Sequence, residues 1–203
     1  MRSLGIALLF CFAHLQALET KVLTGSEIKP YTKTISAYFN AIYREAPYFY
    51  DGTEDGWNRY VQSYADTEKA VVCMAQEGEA IVGIAMGTPL SEAREKYRMG
   101  FSNRPDDLNS LFYLGEFAIK AEFRGQGIGT KMYQVFEQAV REQTRLSGIC
   151  LWQLESEEVT PADMFWGKQN FERRPDIYFD EIWKDVSGTE RVPHRMISWI
   201  LLF

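Results

Sequence analysis

The sequence has few residues of the kinds that build metal sites, disulfide frameworks or broad polyanion-binding surfaces. Its 203 residues include three cysteines and two histidines, whose positions lack the spacing of a zinc site. Lys and Arg number 22 against 28 Asp and Glu, which gives a formal net charge of −6. Because affinity for nucleic acid depends on cationic contacts with phosphate, this balance argues against a nucleic-acid binder. We therefore predict that the protein has no metal site and no nucleic-acid partner, and that any anion site is local.

Internal repeats and low-complexity linkers are also lacking, so the chain is predicted to form a single domain. Two cysteines outside the N-terminal segment, Cys73 and Cys150, lie in apolar stretches. A small buried thiol is the usual interpretation of such a position, although one disulfide between them stays open.

Long apolar runs are missing too, and the one at residues 4–13 is too short to span a bilayer comfortably. Residues 1–17 carry one charge, Arg2, and end on the small residue Ala17, which is the layout of a secretory signal peptide. An uncleaved N-terminal extension is the alternative. The domain is then expected over residues 18–203.

The chain does have enough apolar residues to form one sizeable core, since 46% of its residues are hydrophobic and 25% are charged. The periodicity of its apolar residues predicts both helices and strands. The predicted elements are, in chain order, a short strand at 21–23, helices at about 27–44 and 57–64, a hairpin of 69–75 and 79–88, a strand at 111–119, an amphipathic helix after residue 129, a strand at 148–154, a helix at about 161–169, and two final runs at 177–186 and 195–203. A hairpin followed by strands joined by a helix points to a mixed sheet with helices packed on it, in the α+β class.

The main functional signal is a glycine loop between the strand at 111–119 and the amphipathic helix. Unpaired backbone N–H groups and the positive end of the helix dipole meet at such a junction, and glycines let an anion approach the backbone. A tight turn without a ligand is the alternative. The spacing fits neither the dinucleotide fingerprint nor the nucleotide triphosphatase loop. The loop reads Arg124, Gly125, Gln126, Gly127, Ile128, Gly129 and Thr130.

This loop resembles the pyrophosphate-binding turn of the GNAT acyltransferase superfamily, whose Arg/Gln-x-x-Gly-x-Gly/Ala pattern is matched by Arg124, Gly127 and Gly129. The resemblance extends over most of the chain from about Lys21. The Pro-Tyr-x-Tyr-Asp-Gly segment at 47–52 and the Tyr-Leu-Gly-Glu segment at 113–116 are similar to those of a bacterial GNAT subgroup. The family implies a three-layer arrangement with a mostly antiparallel central sheet flanked by helices.

The resemblance implies acetyl-CoA as the acetyl donor. It places the pyrophosphate on the backbone of residues 126–130 and on the Arg124 region, including Gly125. It pairs the pantetheine arm with the strand residues Phe117, Ala118 and Ile119. Because acetyl-CoA is a cytosolic metabolite, the cytoplasm is the expected location of the protein. Export is the alternative if residues 1–17 are cleaved.

Glu116 is the candidate general base that makes the acceptor amine nucleophilic. It is the one ionisable carboxyl in the apolar run 111–119, where desolvation should raise the pKa of a carboxyl group. A structural carboxylate is the alternative. The usual Tyr acid of the family falls at Trp166, and an indole cannot supply a proton. Tyr113 is the candidate proton donor, with Tyr133 as another, and departure of the thiolate to solvent is the alternative.

Acceptor binding is expected to involve the aromatic loop, through Tyr48, Tyr50 and Asp51, and a pocket wall formed by Trp166. Aromatic rings with carboxylates suit an amine. A loop packed by its own aromatics and a core Trp166 are the alternatives.

The leading hypothesis is an N-acetyltransferase that acts on a primary amine of a small molecule or peptide. Two alternatives stay open: a CoA-binding module or sensor without turnover, and an exported interaction protein. Assembly as a homodimer is a further hypothesis, because the strand at 195–203 could either close the sheet or form a dimer edge.

Overall fold

A computed structural model describes residues 18–143 and 145–203 of the chain. The candidate signal peptide at residues 1–17 lies outside the described residues. Within the described ranges, no helix is both long enough and apolar enough to cross a membrane.

The centre of the molecule is a seven-stranded sheet with the order β1-β2-β3-β4-β5-β7-β6. The β4–β5 pair is parallel, and the other neighbouring pairs are antiparallel. This arrangement confirms the predicted mixed, mostly antiparallel sheet. The strands are β1 (Glu19–Thr24), β2 (Val71–Glu77), β3 (Ala80–Pro89), β4 (Leu111–Ile119), β5 (Gly148–Leu154), β6 (Glu172–Lys184) and β7 (Arg191–Leu202).

Helices cover both faces of the sheet and give the predicted three layers. On one face α5 and α6 pack on a core that includes Phe112, Leu114 and Phe136. On the other face α1 and α2 pack on a core that includes Ile35, Val72 and Ile84. The helices are α1 (Thr32–Ile42), α2 (Glu54–Ala65), α3 (Glu95–Arg98), α4 (Pro105–Ser110), α5 (Ile128–Gln143) and α6 (Pro161–Lys168).

The first predicted helix is divided in two. A 3₁₀ segment, Gly25–Tyr31, precedes α1 and contains Pro30. Proline lacks the N–H that an α-helix would use at this position, so regular α-helix begins only after it.

The last two strands are longer than predicted at their N-terminal ends. β6 begins at Glu172 and β7 at Arg191, whereas apolar residues alone suggested starts at 177 and 195. Charged residues such as Arg173 and Arg174 are held in β6 by backbone pairing with β7, which does not depend on apolar side chains. Because β7 lies between β5 and β6, residues 195–202 close the sheet, and the sheet edges are β1 and β6.

The polar stretch between β3 and β4 folds back over the sheet. It forms two 3₁₀ turns, α3 and α4, and it buries Leu90, Ala93 and Phe101. These side chains form a third core with residues of β5 and β6, among them Trp152 and Phe179. The segment therefore sits beside the C-terminal hairpin and close to the middle of β4.

Candidate active site

A β-bulge in β4 decides which way Glu116 faces. In the pairing of β3 with β4, Met86 lies opposite Glu116 while the next residue, Gly87, lies opposite Leu114. Gly115 is therefore an extra residue without a partner, and the alternation of side chains shifts by one after it. Leu114 and Phe117 both belong to the α5 face. Glu116 consequently faces the α1–α2 side of the sheet.

Glycine is required at this bulge by the tyrosines above it. A Cβ atom on Gly115 would overlap the Tyr64 hydroxyl and lie 3.1 Å from the Tyr60 hydroxyl. Both tyrosines come from α2, which begins after Thr53, whose side chain caps it by accepting from the Gly56 N–H. Their four-residue spacing places both hydroxyls over β4, 2.8 Å apart.

Glu116 is a buried carboxyl surrounded by phenol groups. Burial raises its pKa from 4.5 to about 7, since the charged form loses its hydration. Hydrogen bonding from the nearby Tyr43 and Tyr60 hydroxyls favours the charged form and opposes that rise in pKa. The tyrosines whose pKa values Glu116 raises by its charge are Tyr43, Tyr48, Tyr50, Tyr60, Tyr64, Tyr97 and Tyr113.

Two cations of the segment between β3 and β4 approach this cluster. Lys96 and Arg94 both lower the pKa of Glu116 by their positive charge. The Lys96 ammonium pairs with Glu181 of β6 at 2.8 Å, and it lies 4.6 Å from the centre of the Tyr97 ring. The Arg94 guanidinium lies 4.6 Å from the centre of the Tyr60 ring. The site thus combines a buried acid with cations at its edge.

The aromatic loop between α1 and α2 is tied to β6 and closes the site on one side. Asp51 N–H donates to Lys184 O, and Val186 N–H donates to Phe49 O. Trp183 Nε1–H donates to Tyr48 O at 3.1 Å. The loop is therefore held by backbone hydrogen bonds as well as by its aromatic packing.

The predicted acceptor residues of this loop separate into two groups. Tyr48 and Tyr50 lie within the electrostatic reach of Glu116. The Asp51 carboxylate instead forms ion pairs with Arg44 at 2.9 Å and Lys184 at 3.0 Å. These ion pairs lower the pKa of Asp51 and engage both of its oxygens, so Asp51 anchors the loop.

Tyr113 and Trp166 lie on opposite faces of the sheet. Tyr113 is buried on the Glu116 face with its ring 5.1 Å from that of Tyr97, and burial holds its pKa well above 10. Trp166 is buried on the α5 face, where its ring contacts those of Phe117 and Tyr133. Trp166 is thus a core residue in the structure, as in the alternative interpretation of the sequence. Tyr133 is buried in the same core, and its hydroxyl has no partner among the described residues.

The glycine loop forms an open turn at the N-terminus of α5. Gly125 and Gly127 have φ angles of +74° and +79°, which non-glycine residues rarely adopt. Apart from the chain neighbours of each glycine, no atom of the described residues lies within 4 Å of a Cβ built on Gly125 or Gly127. The first turn of α5 contains no acidic residue. Arg124 Nε–H donates to Ile119 O at 2.8 Å and holds the loop to the end of β4.

The parallel strands next to this loop pair over only part of their length. The β4–β5 ladder runs from Leu111–Gly148 to Leu114–Leu151. Residues Phe117, Ala118 and Ile119 continue β4 beyond the ladder, and among the described strands they pair only with β3, on the other side. One backbone edge of β4 is therefore left without a strand partner beside the glycine loop.

The described part of the chain contains neither a candidate metal site nor a disulfide. Residues 18–143 and 145–203 contain no group of three or more His, Cys, Asp or Glu side chains able to hold a metal ion. Cys73 and Cys150 are free and buried, which confirms the buried-thiol interpretation.

Comparison with known proteins decides the family. A family model described as "Acetyltransferase (GNAT) family" matches residues 36–171, most of the chain. The chain belongs to the GNAT acetyltransferase family. The matched range includes the aromatic loop, the bulged strand β4, the glycine loop and α6. No curated protein sequence gives a significant match.

Solved GNAT structures share this fold at low sequence identity. A putative GNAT acetyltransferase from Desulfovibrio desulfuricans has a TM-score of 0.60 and 12% identity, with 92% of this chain and 99% of that chain covered. The putative acetyltransferase yncA from Salmonella typhimurium, solved with acetyl-CoA, has a TM-score of 0.58 and 11% identity, covering 91% and 94%. NAA60 from Arabidopsis thaliana, also solved with acetyl-CoA, has a TM-score of 0.59 and 10% identity, covering 92% and 99%.

Several residues around Glu116 were not identified from the sequence of this GNAT acetyltransferase. In the sequence, Tyr60 and Tyr64 count only as apolar positions of the predicted helix at 57–64, and their hydroxyls give no separate signal. Arg94 and Lys96 lie in the polar stretch between β3 and β4, and its sequence pattern does not predict that it passes over β4. The glycine before Glu116 was the available clue, because a glycine inside a strand often marks a bulge.

Proposed function

We propose that this GNAT acetyltransferase transfers the acetyl group of acetyl-CoA to a primary amine of a small molecule or peptide. The observation that carries the proposal is Glu116, a buried carboxyl with a pKa raised to about 7. Such a group is partly ionised at neutral pH and basic enough to take a proton from an ammonium ion. When bound, acetyl-CoA supplies an acetyl group activated as a thioester.

The residues of the glycine loop fit a pyrophosphate. Gly125 and Gly127 leave open space where a side chain would stand, and a helix N-terminus whose first turn carries no acid favours an anion. We propose that the backbone N–H groups of residues 126–130 and the Arg124 region hold it. The unpaired edge of Phe117, Ala118 and Ile119 offers backbone hydrogen bonds to the pantetheine arm.

We propose that Glu116 acts as the general base, alone or through a water molecule. Hydrogen bonding from Tyr43 and Tyr60 favours the charged carboxylate, so these tyrosines keep its pKa from rising further. These hydroxyls and the fixed bulge at Gly115 orient the carboxylate before the amine arrives. Orientation of this kind is a large part of what an enzyme contributes to a transfer between two bound partners.

Tyr113 is on the correct face of the sheet for a catalytic role, but its acidity does not match that of a thiol. Burial holds its pKa well above 10, whereas an ordinary thiol has a pKa of about 8.5. Proton transfer from this phenol to a thiolate would therefore be unfavourable. We propose that Tyr113 forms a wall of the site, and retention of turnover in Tyr113→Phe is the expected result.

The test is an acceptor screen with the purified full-length protein, measuring thiol release from acetyl-CoA over a panel of amines and confirming the acetylated product by mass spectrometry. Acetyl-CoA binding without release across a broad panel would favour the CoA-binding module. Mass spectrometry of the N-terminus of protein made in its own host separates the locations: a chain that begins at Leu18 would favour export over the proposed cytoplasmic location.

A further inference from the structure

The cation Arg94 reaches the site from the segment between β3 and β4 and forms no ion pair there with a described residue. We propose that Arg94 binds an anionic group of the acceptor, so that the acceptor is a small amine carrying a carboxylate or phosphate, as a free amino acid does. This inference rests on the proposed acetyl transfer to an amine and narrows its acceptor class.

Arg94 differs from the other cations around the site because it forms no ion pair with a described residue. Within the described ranges, no carboxylate lies within 4.0 Å of its guanidinium, whereas Lys96 pairs with Glu181, and Arg44 and Lys184 pair with Asp51. Arg94 is solvent-exposed, so a ligand can reach it. A planar guanidinium can bind a carboxylate or phosphate through two parallel hydrogen bonds.

Tyr60 links this cation to the proposed base. Its hydroxyl lowers the pKa of Glu116, and its ring lies 4.6 Å from the Arg94 guanidinium carbon. One tyrosine side chain therefore separates the two charges. A molecule with its amine at Glu116 and its anion at Arg94 needs only a few bonds between the two groups.

Arg94 acts on the side chains that line the site. Its charge lowers the pKa values of Tyr50 and Tyr64 as well as that of Glu116. Tyr50 comes from the aromatic loop and Tyr64 from α2, so the field of Arg94 reaches two walls of the site. An acceptor anion at this position would meet the guanidinium of Arg94 and the ring of Tyr60.

The experiment compares acceptors that differ in their negative charge. Free amino acids are paired with their C-terminal amides, and phosphoethanolamine is paired with ethanolamine, each measured as kcat/KM for acetyl transfer. We expect the charged member to be preferred, and we expect Arg94→Gln to lower its kcat/KM roughly 10- to 100-fold, the effect of losing a hydrogen bond to a charged group. The uncharged member should change little. Which charged pair responds separates a carboxylate from a phosphate ligand.

Two further variants keep this test independent of folding and of overall charge. Arg94→Lys retains the charge without the planar fork and should recover part of the lost kcat/KM. Arg59→Gln removes one positive charge from the exposed side of α2 and should leave the preference unchanged. Equal loss for charged and uncharged acceptors in Arg94→Gln, or no loss for either, would overturn the inference while acetyl transfer itself stands. Absence of transfer to every amine would overturn the proposed function and this inference with it.

Discussion

Burial of Glu116 suits its proposed role as a base and costs stability to the folded protein. Burial makes its charged form costly, and the same burial gives it the basicity proposed for catalysis. The two hydrogen bonds from Tyr43 and Tyr60 recover only part of that cost. A site that carries such a residue is expected to be less stable than a neutral version of itself.

The first prediction is that Glu116→Gln stabilises the protein at alkaline pH. The pKa of Glu116 is about 7 in the folded protein against 4.5 for the ordinary group, so the carboxyl opposes folding increasingly between pH 4.5 and 7 and fully above. A neutral amide avoids this cost. We expect the free energy of unfolding to rise by about 3 kcal/mol at about pH 8, with the difference vanishing below about pH 4.5. Urea denaturation at both pH values measures it, and a destabilised variant at alkaline pH would contradict the account.

The second prediction concerns the hydrogen bond from Tyr60. Tyr60→Phe removes a donor that favours the charged carboxylate, so the pKa of Glu116 should rise and the ascending limb of kcat/KM should move to higher pH. Tyr31→Phe is the control, because that phenol lies outside the Glu116 cluster. A limb that stays in place in Tyr60→Phe would show that this hydroxyl does not act on the base.

At the scale of the element, one extra residue in β4 determines the site. The bulge at Gly115 turns Glu116 away from the α5 core and towards the tyrosines of α2. The strand itself was predicted from its apolar sequence with the bounds that the structure has. The bulge was not, because it depends on the pairing of β4 with β3 and on the hydroxyls above it.

The third prediction tests this bulge. Gly115→Ala should lower the free energy of unfolding by about 1 to 3 kcal/mol, since the added methyl group meets the hydroxyls of Tyr60 and Tyr64 in a packed region. Combining it with Tyr64→Phe, which removes the closer hydroxyl, should recover part of the loss. Denaturation of the single and double variants gives the comparison, and purely additive losses would argue against the contact.

For the other elements around the site, too, local sequence pattern predicts the element but not its tertiary contacts. Periodicity located β4, β5, α5 and α6 because each carries a strong local pattern. It missed the convergence of Arg94, Lys96 and Tyr97 on Glu116, because their segment is polar and is positioned by tertiary packing of Leu90 and Phe101. The sequence also places Asp51 at the acceptor. In the structure that carboxylate pairs with Lys184 and Arg44, and its contact with an acceptor stays a prediction.

At the scale of the whole molecule, an acidic protein is proposed to bind a highly anionic ligand. The net charge of −6 opposes such binding. The turn at Gly125 and Gly127, just before α5, is proposed to bind the anion through the backbone N–H groups of residues 126–130, which add no positive side-chain charge. A local backbone site thereby reconciles the composition with acetyl-CoA. Binding to the folded state alone should stabilise the entire domain.

The fourth prediction follows from that linkage. Acetyl-CoA at about 100 times its dissociation constant should add about 2.7 kcal/mol to the free energy of unfolding and raise Tm. Gly127→Glu should abolish the rise by placing a like charge and a side chain in the open turn. Gly78→Glu is the matched control, since Gly78 also has a positive φ, +60°, but lies in the β2–β3 turn. Thermal unfolding with and without acetyl-CoA measures the effect, and an undiminished rise in Gly127→Glu would contradict the assignment of the loop.

The central claim is that Glu116 is the base for acetyl transfer. The most direct test is the pH dependence of kcat/KM for acetyl transfer to an amine found in the screen, compared between the native protein and Glu116→Gln, with acetyl-CoA affinity measured in parallel. The account predicts a native rate that rises through about pH 7, a loss of about 100-fold or more in Glu116→Gln, and unchanged acetyl-CoA affinity. Equal rates for the two proteins at every pH would contradict it.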